Sequence, residues 1–380
     1  MSRPFSRRGF LTGAAAAVAG KALWPHAAHA QTIPPYAGTP TVALVSGNDR
    51  AHNILQALRE IDDLIQPVLR TKTSVLIKPN VVVSNTPDLP ACTHPDALRG
   101  ILEYIAGSGF RGPVVIAEAG ANYTTAGFAT YGYPAVVNEY RGTSAFTSLG
   151  LIDLNEEGRY LLQPVVDENL HVQPIRVAAR LFDPDAFIIC AAVLKTHDRV
   201  VATMSVKNMA MGAPLHATNA EGWWTWSDKP KMHDTYRLAN VNIHQMAREL
   251  KRYWGVAVID GFEGMEGNGP ASGTAVPSRL AIASTDFLAA DRVGVECMGI
   301  NPDWVGYLNY AWKLGLGQYD LARINLAGGV SLASVKRTYR LHDQVGAELE
   351  WMDAFPNCNS RLVCSPHLPA PGDPGRAGRR

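Results

Sequence analysis

AFIICAAVLKTH, residues 186–197, runs nine apolar residues straight into Lys195, Thr196 and His197. An unbroken apolar run of this length, bounded by polar residues, reads as a strand covered on both faces, the kind found inside parallel sheets. Such a strand needs neighbours, and parallel neighbours are joined by long crossovers, usually helical. The chain supplies both. TVALVSG (41–47), TSVLIK (73–78), PVVIAE (113–118), GVAVID (255–260) and RLAIAS (279–284) read as further strands. Between them, Ile54, Leu55, Leu58, Ile61, Leu64, Ile65 and Val68 recur at helical spacing. PDALRGILEYIAGSG (95–109) reads as a helix closed by glycine, with more helix near 124–140 and over FLAADRVGVECMG (287–299). The expected fold is α/β and Rossmann-like: a mostly parallel sheet with helices on both faces. Residues 141–185 and 213–234 read as irregular insertions or a small subdomain, and no internal repeat is present.

The ends read differently. Arg7 and Arg8 precede Phe10 and Leu11, then a short Ala/Gly/Val run and the small-x-small site AHA at 28–30. This is the layout of a twin-arginine signal peptide over residues 1–30, with cleavage near Ala30, use of the twin-arginine translocase and a periplasmic destination. Its apolar run is far below the ~20 residues that span a bilayer, so no stable membrane span is expected. The α/β domain is expected over 31–365, and the Pro/Gly/Arg-rich stretch 366–380 reads as a disordered tail.

Removing residues 1–30 takes away Arg3, Arg7, Arg8 and Lys21 and no acidic residue, so the formal charge moves from +1 to −3. No basic excess points to nucleic acid. The five cysteines, at 92, 190, 297, 358 and 364, contain no CxxC, so no iron–sulfur cluster is expected within this chain. Cys358 and Cys364 are spaced for either a disulfide or two separate thiols.

In open parallel sheets, ligands sit at the carboxyl ends of the strands. Five of the strands read above end in charge there: Lys78-Pro79-Asn80, Glu118, Lys195-Thr196-His197, Asp260-Gly261 and Asp286. Lys207 and Asn208 follow inside an otherwise apolar segment. Lysines offer point charges to a phosphate or carboxylate, and Asn80 and Asn208 offer neutral hydrogen bonds. Asp260, Glu266 and Asp286 are hard oxygen donors suited to a divalent metal, the one cofactor class the residues suggest. Clustered lysines lower one another's proton affinity, and His197 and His233 could move protons. EGNGPASGT (266–274) is a Gly-rich loop outside the known nucleotide patterns. EGWWTWSDKP (221–230) places three tryptophans in a polar loop, suited to a lid or to a protein partner.

IKPN (77–80), Thr93-His94-Pro95, LKTH (194–197), SVKNMAMG (205–212), His233, VIDGFEGMEGNGP (258–270) and the segment from Asp286 and Asp291 to Met298-Gly299 occur in that order. Together they resemble the domain-of-unknown-function 362 family across roughly residues 41–300. The resemblance implies an α/β fold and favours Lys78, Asn80, Lys195, His197, Lys207, Asn208 and Asp260 as site positions. It implies no particular reaction. Some members carry ferredoxin-like modules, whose cysteine sets are missing here.

Three functions fit. The first is an exported enzyme acting on a small anionic or polar molecule, with Lys195, His197 and Lys78 catalytic, Asn80, Lys207, Asn208 and His233 binding substrate, and Asp260, Glu266 and Asp286 on a metal. The second is a periplasmic binding protein using the same crevice without chemistry. The third is a redox-accessory subunit that meets its partner through the Trp-rich loop.

Overall fold

The computed structural model describes residues 36–83, 85, 90–219 and 224–353. The signal segment, Trp223, Cys358, Cys364 and the tail from 366 lie outside the described residues. In chain order the first half comprises β1 (Thr41–Ser46), α1 (Arg50–Arg59), α2 (Asp62–Leu69), β2 (Ser74–Lys78), α3 (Pro95–Gly107), β3 (Val114–Glu118), α4 (Thr124–Thr130), α5 (Tyr133–Glu139), β4 (Leu149–Asp153), β5 (Tyr160–Val166) and β6 (Val172–Ala178). The second half comprises β7 (Ala186–His197), β8 (Val201–Thr203), α6 (Ser205–Gly212), β9 (His216–Thr218), β10 (Trp224–Ser227), α7 (Tyr236–Leu250), β11 (Trp254–Glu266), β12 (Thr274–Val276), β13 (Leu280–Ser284), α8 (Phe287–Cys297), α9 (Gly306–Lys313) and β14 (Asn325–Ala327).

The main sheet runs β14-β1-β13-β11-β7-β2-β3-β4, with β8 and β12 paired to its long strands. β11, β7, β2, β3 and β4 are mutually parallel. At the centre lies β7, all 12 residues of which are buried. Its side chains alternate between two cores, as the two-residue period of a strand requires. Ala186, Ile188, Cys190, Ala192 and Leu194 join the core beneath α6, α7, α8 and α9. Phe187, Ile189 and Ala191 join the core beneath α1, α2 and α3. Burying one such large side chain stabilises by roughly 1.5–3 kcal/mol, which explains why this strand tolerates no polar residue before Lys195.

Helix starts follow their caps. The Asp49 side chain accepts the His52 amide at 2.9 Å before α1. Before α3, His94 accepts the Asp96 amide, with Pro95 in the first turn.

Two expectations are corrected. β13 is antiparallel to both β1 and β11, so its carboxyl end, with Asp286, lies at the opposite edge of the sheet from the ends of β2, β3 and β7. Residues 141–185 are not irregular throughout: they hold the edge strand β4 and the antiparallel pair β5–β6. Within 213–234, β9 and β10 form a second small pair. No helix among the described residues is long and apolar enough to cross a membrane.

Candidate functional site

The four strands β2, β3, β7 and β11 deliver their carboxyl ends to one edge, and a cavity of about 320 Å³ opens there. It is lined by Asn80 after β2, Glu118 at the end of β3, and Lys195, His197, Asp198 and Arg199 from β7 and its turn. Lys207, Asn208 and Gly212 from α6 close one side, and Lys229 and His233 another.

β7 continues past the sheet because β8 pairs with it, Lys195 opposite Thr203 and His197 opposite Val201. Lys195, Thr196 and His197 therefore sit on an extended hairpin. The helix that follows is held by Asp291 of α8. Its carboxylate accepts the Ser205 amide at 2.8 Å, the Ser205 hydroxyl at 2.5 Å and the Val206 amide at 3.0 Å. A carboxylate at a helix N-terminus satisfies free amides and opposes the helix dipole. Asp291 thereby fixes the helix that carries Lys207 and Asn208.

Lys78 is fully buried behind the cavity wall. Its ammonium donates to Glu118 Oε2 at 2.9 Å, Asn208 Oδ1 at 3.0 Å and the Pro79 carbonyl at 3.1 Å. Its charge is thus committed to Glu118, and Lys78 does not line the cavity. Gly212 is what lets α6 approach this pair: a Cβ there would collide with Lys78 Nζ and Cε.

The three other lysines differ. Lys195, Lys207 and Lys229 are each buried, yet none has an ion-pair partner among the described residues. Lys195 donates to the Ala91 carbonyl at 2.6 Å and the Pro270 carbonyl at 3.3 Å. Lys229 donates to the Ala119 carbonyl at 2.7 Å and the Met211 carbonyl at 3.3 Å. Lys207 has no hydrogen-bond partner among the described residues. Burial pushes the Lys195 amine down to about 8. For Lys207 burial and then the Lys195 charge push it down to about 7, and burial pushes Lys229 down to about 7. Neutral carbonyls hold a proton in place but supply no counter-charge.

His197 and His233 stack with their ring centres 6.1 Å apart and planes 6° from parallel. Burial, then the Lys207 charge, lowers His197 to about 3 and His233 well below its ordinary value, so both rings are neutral at pH 7. His197 Nδ1 lies 3.0 Å from Asp198 Oδ1 and 3.1 Å from the Arg199 amide. The amide leaves the ring proton on Nε2, whereas pairing with Asp198 places it on Nδ1. His233 Nδ1 lies 3.3 Å from the Lys229 carbonyl, which can only accept, so that contact leaves Nε2 with its lone pair.

Of the residues singled out in the sequence, Asn80, Lys195, His197, Lys207, Asn208 and His233 are brought together. Asp260, Glu266 and Asp286 are not. Asp260 is buried 3.3 Å from Arg50 and accepts the Phe262 amide at 3.0 Å. Glu266 accepts the Arg340 amide at 2.9 Å. Asp286 caps α8, accepting the Leu288 and Ala289 amides, and also accepts the Gln318 amide at 3.0 Å. Each carboxylate is engaged in fastening the chain, and among the described residues no group of three or more His, Cys, Asp or Glu is placed to hold a metal.

Lys229 is the residue that sequence reasoning missed. It follows no apolar strand and sits inside the Trp-rich segment, where the tryptophans drew attention instead. The two described indoles contact their own domain: Trp226 lies under the Arg176 guanidinium at 3.3 Å, and the half-exposed Trp224 donates to the Ala121 carbonyl at 3.1 Å.

The model of a family described as "Domain of unknown function (DUF362)" matches residues 75–296, more than half the chain. The chain belongs to the DUF362 family. A thylakoid-associated protein, sll1697, from Synechocystis sp. (strain ATCC 27184 / PCC 6803 / Kazusa) is 24% identical over 265 residues, which covers 69% of this chain and 73% of that relative. A crystal structure of a Thermotoga maritima protein, a structural-genomics target, aligns with a TM-score of 0.33 at 11% identity. That alignment covers 61% of this chain and spans about half (55%) of the solved one. The stretch matched by the DUF362 model runs from β2 into α8 and contains every cavity-lining residue named above.

Proposed function

We propose that this DUF362 protein is an exported enzyme acting on a small anion held at the carboxyl edge of its sheet. The observation that carries the reading is the convergence of Lys195, Lys207 and Lys229 in one cavity without a carboxylate partner on any of them. Buried ammonium groups are unfavourable unless something negative meets them or they give up their protons. A bound phosphate or carboxylate meets that need, with Arg199 and Asn80 at the rim adding donors. The neighbouring imidazoles favour chemistry over simple capture, because two neutral proton carriers are packed within the same cavity.

The test is a thermal melt against a panel of phosphates and mono-, di- and tricarboxylates. Wild type should be stabilised by at least one class, and Lys195→Met and Lys207→Met should each weaken that ligand by ~1.5–3 kcal/mol, the worth of a charge-assisted hydrogen bond. Both variants should still fold, since the aliphatic stem remains and an unpaired charge is removed. A wild-type protein indifferent to the whole panel overturns the anion reading.

Export rests on Arg7, Arg8 and the AHA site. Changing both arginines to lysine should hold the protein in the cytoplasm, and the mature chain should begin near Gln31 by N-terminal mass analysis. Unchanged delivery to the periplasm would remove the twin-arginine claim.

A further inference from the structure

The geometry points to Lys207 as an amine nucleophile that forms an imine with the carbonyl of a small 2-oxo acid whose carboxylate is held by the other cations of the cavity. This inference deepens the anion-site reading and rests on it. Three observations separate Lys207 from the other lysines of the cavity. Lys78 is bound to Glu118 and lies behind the wall. The nitrogens of Lys195 and Lys229 are anchored by hydrogen bonds of 2.6 and 2.7 Å to backbone carbonyls. The Lys207 nitrogen alone among them has no such anchor, so it can advance on a bound molecule without breaking a hydrogen bond.

The helix beneath it is rigidly set. Asp291 holds the first turn of α6 by three hydrogen bonds. One residue on, Asn208 is clamped between Lys78 and the Cys190 thiol at 3.0 and 3.2 Å. A side-chain tip without a hydrogen bond of its own, on a fixed helix, suits attack at a defined place. A lysine beside other cations and removed from water also keeps a larger share of its neutral, nucleophilic form, and here burial and Lys195 push it to about 7 against the opposing pull of the Asp198 carboxylate.

The Lys207 lone pair forms a C–N bond to the carbonyl carbon, while the C=O π pair moves to oxygen. One N–H proton passes to that oxygen, with a neutral imidazole of the His197–His233 pair as carrier. A further proton from solvent then lets the hydroxyl leave as water, giving a protonated imine. No oxidant or reductant is required, because amine, carbonyl and one proton yield the iminium ion and water.

The test uses the full mature chain, pyruvate and 2-oxoglutarate as probes, and sodium borohydride to fix any imine as a stable amine. Peptide mass mapping of wild type should place the adduct on Lys207. It should be lost in Lys207→Arg, which keeps the charge but not the nucleophile, and kept in the surface control Lys313→Arg. Thermal melts with the same probes run alongside. Stabilisation by the oxo acids without an adduct on Lys207 overturns the nucleophile and leaves the anion site standing. Neither stabilisation nor adduct overturns the imine, and indifference to the phosphates and other carboxylates as well overturns the anion site. Labelling spread evenly over surface lysines likewise overturns the assignment.

Discussion

Glu118→Gln should cost about 3–5 kcal/mol of folding stability, the range for stranding one partner of a buried ion pair. Glu118 and Lys78 are both almost wholly out of solvent and lie 2.9 Å apart. Lys78 has two further acceptors, Asn208 Oδ1 and the Pro79 carbonyl, but both are neutral. Without the carboxylate an ammonium stays in the centre of the molecule with dipoles alone around it. The partner test distinguishes this cause from simple loss of packing. In Lys78→Met combined with Glu118→Leu both charges go together, so most of the lost stability should return. Urea unfolding of wild type and the two variants at neutral pH, followed by tryptophan fluorescence, measures it. A single variant within about 1 kcal/mol of wild type would show that the pair is not isolated from water, since exposed pairs are worth no more than that.

The same pair shows how far the sequence could be read. That Lys78 and Glu118 both end strands followed from the apolar runs before them, and the rule placing chemistry at carboxyl ends brought them to the correct edge. The rule says nothing of depth. Lys78 belongs to the wall and Lys195 to the cavity, a difference set by whether a carboxylate lies opposite, which only packing decides.

Direction was the second blind spot. An apolar run reads alike in parallel and antiparallel strands, so RLAIAS reads like the others and Asp286 with it. A signal was present nonetheless. Residues 267–279 separate β11 from β13, and they are rich in Gly, Pro and Ser with no helical spacing. Their length would allow a parallel return, but such a crossover usually carries a helix, and its absence favours an antiparallel connection. The hairpin β5–β6 was hidden for another reason. Pro164 and Pro174 interrupt it, and Tyr160, Leu161, Leu162 and Val172 face solvent, so no buried alternation marks it.

Raising the pH from about 6 to 10 should stabilise the ligand-free protein less in Lys207→Met than in wild type. Lys195, Lys207 and Lys229 are pushed to about 8, 7 and 7, against an ordinary value near 10.5. Between those limits the unfolded chain binds more protons than the folded one, so each lysine makes stability rise with pH. Below pH 7 Lys207 and Lys229 are protonated in both states, and the cost of burying their charges is felt in full. Other groups titrate over this range too, among them Glu348, which burial raises to about 8 and which therefore acts in the opposite sense. Subtracting the Lys207→Met profile from the wild-type profile cancels those shared contributions. The variant should be the more stable protein near pH 6, with an advantage that shrinks steadily and is gone near pH 10. Sulfate, a dianion throughout, should reverse the trend if it occupies the cavity. Its stabilisation of wild type should be greatest at pH 6 and fade through pH 7–8 as the lysines lose their protons. A difference between the two profiles that does not change with pH would mean that Lys207 stays protonated in the folded protein up to about pH 10, as it does in the unfolded chain. Both the free amine and the pH-gated anion site would then be lost.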